Sequence, residues 1–142
     1  MSIYRITKVG YSSIGITTSA GQGRKVIYIP LIYIDCDEKG EKKRKVHLQQ
    51  FVPNKKYYTN WIEGKSFIGG ITADSYHFFD EEGKLTGNIA IENVGKVFQV
   101  NEDSIICLKG KTIYKVEPTG HIAGSRELTS EEIVQLGIKQ EQ

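Results

Sequence analysis

Apolar and polar residues alternate with a period of two along most of the chain, and Gly, Pro, Asn and Asp break the alternation at short intervals. Such alternation places one set of side chains on each face of an extended strand. Turn signals spaced about every eight to twelve residues belong to an all-β protein. The pattern predicts strands over residues 3–8, 12–18, 24–34, 44–51, 57–62, 66–71, 75–79, 84–91, 96–101, 104–108, 112–117 and 120–128, with Pro30 carried inside the third. Only the tail reads otherwise. Thr129-Ser130-Glu131-Glu132 is a capping box, followed by the apolar stripe Ile133, Val134 and Leu136 and a stop at Gly137. One short helix is expected over residues 130–137, covering an exposed edge or end of the sheets.

A hairpin recurs within this pattern. Residues 75–91 align without a gap on residues 112–128, which places Gly83 on Gly120, Gly87 on Gly124, Asp80 on Glu117 and Leu85 on Ile122. A fainter copy over residues 32–48 sets Asp37-Glu38-Lys39-Gly40 where Asp80-Glu81-Glu82-Gly83 and Glu117-Pro118-Thr119-Gly120 stand. Each turn has a mechanism. The acidic residue accepts from its own following backbone, and Gly supplies the positive φ of a type I turn closed by a glycine bulge. Gly87 and Gly124 sit inside strands, where Gly marks a bulge or a close backbone approach.

The expected fold class is all-β and antiparallel, with three four-stranded units at about 1–51, 57–91 and 95–128 in a single domain over residues 1–142. A β-sandwich or Greek-key barrel of the same strands is the alternative. The acid-x-x-Gly hairpins and the strand Ile113-Tyr114-Lys115-Val116 resemble the blade repeats of beta-propeller proteins over roughly residues 24–128. That resemblance implies an open half-propeller. Closed rings use about four to eight blades, so three leave two open sheet flanks to be capped or paired.

Composition changes little in this picture. Eight tyrosines suit half-buried pleated surfaces, and a net charge of +2 is too mild to imply nucleic acid. No run of 18 apolar residues occurs, and Met-Ser-Ile-Tyr-Arg does not open a signal peptide, so a cytoplasmic location without membrane contact is expected. Cys36 and Cys107 read as two reduced thiols.

Candidate chemistry is sparse. His47, His77 and His121 share no metal spacing, no Gly-x-Ser-x-Gly elbow occurs, and Asp35 and Asp37 beside Cys36 would raise its thiol pKa. The reading is no enzyme, no metal and no cofactor; a small β-fold enzyme using His77 or His121 is the alternative. Lys42-Lys43-Arg44-Lys45 reads as a solvated turn that protects an edge, with phosphate contact as its other use. Tyr57, Tyr58 and Trp61 are candidate contact anchors, and Asp37, Glu38, Asp80, Glu81 and Glu82 a candidate acidic rim that would steer a basic partner.

A compact β domain with no catalytic pattern is similar to the immunity proteins of bacterial contact-dependent growth-inhibition systems. The resemblance implies a protein partner, a cognate toxin domain, often a nuclease, whose active site is blocked. Nucleic acid is disfavoured as a partner, with a nucleic-acid-associated β module as a further alternative. The chain alone is expected to be a monomer or homodimer.

Overall fold

The structure is a computed structural model that describes residues 5–17, 24–35, 39 and 41–137. Three antiparallel sheets follow one another along the chain. The first contains β1 (Arg5–Thr17), β2 (Arg24–Asp35) and β3 (Lys43–His47) in that order. The second is a meander of β4 (Asn60–Glu63), β5 (Ile68–Ile71), β6 (Ser75–Phe79) and β7 (Leu85–Ala90). After a one-turn helix α1 (Ile91–Val94), the third repeats the meander with β8 (Lys96–Val100), β9 (Ile105–Lys109), β10 (Thr112–Val116) and β11 (Ile122–Glu127). Helix α2 (Ser130–Gln135) ends the described chain. The all-β class holds.

The first unit differs from its expectation. It has three strands among the described residues, because the chain does not turn at Gly10. Gly10 pairs with Leu31 inside β1, and Val9 and Tyr11 on either side both pack against the core. With core contacts before and after it, a turn there would cost the packing of two partly buried side chains. Pro30 stays inside β2 as expected, pairing with Tyr11, and its carbonyl accepts from Leu48 N. Two further differences are local. Helix α1 is additional to the one helix expected, and β4 begins at Asn60 because Asn54 Oδ1 accepts from Lys56 N and holds the preceding segment in a turn.

The sheets share their cores. Ile32, Ile34, Val46 and Leu48 of the first sheet and its exit pack with Tyr58, Ile68 and Phe79. The opposite face of the second sheet packs Tyr76, Phe78 and Ile89 with Ile105, Cys107 and Val116 of the third. The second sheet is therefore the middle layer, and β6 is buried on both faces from Tyr76 to Phe79. Each fully buried Phe there contributes about 1.5–3 kcal/mol.

The recurring hairpin is a structural repeat. Gly83 and Gly120 have φ of 87° and 83°, and their amides donate to Asp80 O and Glu117 O at 3.0 and 2.8 Å. The ladder shifts register between Phe78 and Phe79 in one copy and between Lys115 and Val116 in the other, the same place in the repeat. Each hairpin tip also lies on the last strand of the unit before it. Gly83 abuts Val46 and His47 at the end of β3, where its carbonyl accepts from Gln49 N at 2.8 Å. Gly120 abuts Asn88 of β7, and Thr86 Oγ1 donates to Pro118 O at 2.7 Å. Thr119 and Gly120 press on Gly87, whereas Gly124, its equivalent on β11, has open space around it.

The third sheet is finished by its own chain. Tyr76, Phe78 and Ile89, which face the next sheet, correspond to Ile113, Lys115 and Arg126. Arg126 forks onto both oxygens of Glu132 in α2 at 2.8 and 2.7 Å, and Thr129 and Glu132 form the expected capping box. A terminal layer with a polar outer face is what ends a stacked array.

Candidate binding surface

The acidic tips are partly spoken for by their own turns. Asp80 turns its carboxylate inward and accepts from the amides of Glu82 and Lys84, each at 2.9 Å. Glu81 and Glu82 are exposed at the tip, which the Gly83 contact sets beside the end of β3. Asp37 and Glu38, with Cys36, lie outside the described residues.

The aromatic candidates come together, but inside. Tyr58 is buried, with Tyr57 and Trp61 half-buried against it at ring-centroid distances of 5.1 and 4.9 Å. Trp61 also borders an open cleft of about 720 Å³ with Tyr76, Ile91, Val97 and Val100. The Tyr58 hydroxyl is 2.9 Å from His77 Nδ1, and His77 Nε2 is 3.0 Å from Ser75 Oγ. Ser75 Oγ in turn meets Thr72 Oγ1 at 2.8 Å, and Thr72 Oγ1 donates to Asp74 Oδ1 at 3.0 Å. Thr72 Oγ1 also accepts from the amides of Asp74 and Ser75 at 3.3 and 3.0 Å. The chain of bonds clasps the β5–β6 turn to the aromatic segment.

Burial sets the protonation states of this layer. His77 is pushed below its ordinary pKa by desolvation, partly offset by Asp74. Tyr58 is pushed far above the usual phenol range by desolvation. The Cys107 thiol, buried against Tyr76, rises to about 12 and is inert as a nucleophile. His47 and His121 are exposed. Among the described residues no three His, Cys, Asp or Glu side chains gather in a metal-binding group.

A different surface emerges on the first sheet. Ile32 and Ile34 face the core, so Ile29, Leu31 and Tyr33 line the outward face of β2. The ladders place Lys8 and Lys45 on either side of Tyr33 and His47 beside Leu31. Lys43 follows opposite Asp35, which is buried and whose ladder neighbour on β1 is Arg5. Lys8, Lys43, Lys45 and His47 are exposed, and Lys8 Nζ sits 5.6 Å from the Tyr33 ring centroid. A depression of about 350 Å³ is lined by Lys8, Tyr33, Lys43 and Lys45 together with Thr7, Ile34 and Arg44 of the alternate positions. The basic run read as a solvated turn is thus largely strand, and alternation sends Lys43 and Lys45 to one face. The signal that could have found it was uneven charge. Basic residues outnumber acidic ones in residues 1–51, and the balance reverses in the rest.

No family model, curated protein or solved structure shows significant similarity to the chain.

Proposed function

We propose that this chain is a non-enzymatic protein-binding module, in its most concrete form an immunity protein that neutralises a cognate bacterial toxin, a nuclease, by covering its active site. One observation carries the reading. At one end of the stack Arg126 and Glu132 tie α2 to the third sheet, and at the other the first sheet presents half-buried Ile29, Leu31 and Tyr33 among exposed Lys8, Lys43, Lys45 and His47. An apolar centre with a charged rim is the anatomy of a protein contact patch. The three sheets are read as blade-like units of an open array, for which an uncovered flank is an invitation to a partner. No helix among the described residues is long and apolar enough to cross a membrane.

The test is co-expression with the products of neighbouring reading frames, followed by purification on a tag carried by this chain. A stoichiometric complex that silences the neighbour's toxicity supports the proposal. A chain that stays alone, and leaves every neighbouring product active, sinks it.

A further inference from the structure

The outward face of the first sheet has a chemistry that specifies what it takes. Its centre is aliphatic, Ile29 and Leu31, and continues into Tyr33. Lys8, Tyr33 and Lys45 form one row across three strands, with Lys43 two residues along β3. Neighbouring strands are about 4.8 Å apart and alternate residues about 6.7 Å, so three ammonium groups share one small area. Among the described residues no carboxylate pairs with Lys8, Lys43 or Lys45. The nearest acidic group in the ladders, Asp35, is buried, and its Oδ1 has no hydrogen-bond partner.

We infer that this face docks a protein surface in which an apolar side chain is ringed by carboxylates, one carboxylate entering the depression between Lys8, Tyr33, Lys43 and Lys45. The inference rests on the binding-module reading and names the partner's chemistry. The aliphatic centre favours protein over nucleic acid. Bases bind on aromatic platforms, and here there is a single Tyr whose ring already carries Lys8. Ile29 and Leu31 offer nothing to stack on, but they match an apolar side chain at the middle of an interface with charge at its rim. Complementary charge around that centre sets register and speeds encounter.

The probe is a short acidic peptide with a central phenylalanine, titrated into the isotopically labelled full chain. A thymidine oligonucleotide of equal charge serves as its comparison. Amide shifts confined to Lys8, Leu31, Tyr33, Lys43 and Lys45, lost in Lys43→Glu/Lys45→Glu and weakened about tenfold or more in Tyr33→Ala, are the expected result. Lys8→Gln, at an exposed position, repeats the test if the double reversal does not fold. Equal or tighter oligonucleotide binding at the same amides overturns the inference, as do shifts elsewhere or self-association of the chain through this face. The two readings fail separately. A co-purifying partner whose affinity survives Lys43→Glu/Lys45→Glu leaves the binding module standing and removes this surface from it. Peptide binding here without any protein partner does the reverse.

Discussion

Gly87 and Gly124 occupy the same position in two copies of one hairpin, and replacing each by Ala separates local from tertiary effects. Neither has a positive φ, so Ala fits both backbones. At Gly124 a Cβ would meet nothing within 4 Å. Removing a strand Gly there should be neutral or stabilise by up to about 0.5–1 kcal/mol. At Gly87 the same atom would overlap Thr119 C and O and lie 2.7 Å from Gly120 N. Carbon atoms rest at about 3.5–4.0 Å, and these neighbours are backbone, so no rotamer change relieves the overlap. The third sheet's hairpin must move off β7, loosening the Thr86–Pro118 bond. Overpacking of this kind costs about 1–3 kcal/mol. The two variants should therefore differ by about 1–4 kcal/mol, which at this chain length is roughly 3–15 °C in Tm. Urea unfolding followed by Trp61 fluorescence, with calorimetry alongside, measures the gap. Equal midpoints for the two variants would refute the stacking of one unit's hairpin on the next.

Other expectations are simpler. Tyr58→Phe strands His77 Nδ1 in the core and should cost about 1–3 kcal/mol, seen as a lower urea midpoint at unchanged slope. His77 has a folded pKa below its unfolded value of 6.5, so its contribution is fully present above pH 6.5 and falls as pH drops from there towards the folded pKa. His77→Gln should flatten that part of the stability–pH curve, and an unchanged curve would remove His77 as the cause. Cys107 in a Cys36→Ser background should resist a thiol reagent in the native state and react fully in urea; fast native labelling would contradict its burial. Thr129→Ala should cost about 1 kcal/mol by uncapping α2, with faster amide exchange confined to the helix.

What could be read from the chain is whatever a few neighbouring residues decide. The Asp80–Gly83 and Glu117–Gly120 turns and the Thr129–Glu132 capping box are set by φ preferences and by hydrogen bonds between residues close in sequence. Those features were legible, and with them the all-β class and the repeat. The candidate surface was only half legible. Lys42–Lys45 stood out as a basic run, but a run of charge does not say whether it forms a turn or a strand, nor which face it shares with Tyr33.

The remainder belongs to contacts between distant segments. Gly10 reads as a turn and is a strand residue, because Val9 and Tyr11 find the core on both sides of it. Tyr58 reads as an anchor for a partner and is a core residue, because its ring packs in the core and its hydroxyl bonds His77, nineteen positions on. Gly87 and Gly124 are alike in sequence and unlike in space, since only one of them lies beneath another hairpin. By itself the sequence determined the strands of the second and third sheets to within a few residues, the turns between their hairpins and the repeat, because those are short-range. Only the tertiary structure decided which of the repeated positions are covered, because covering comes from a neighbour that the local sequence does not contain.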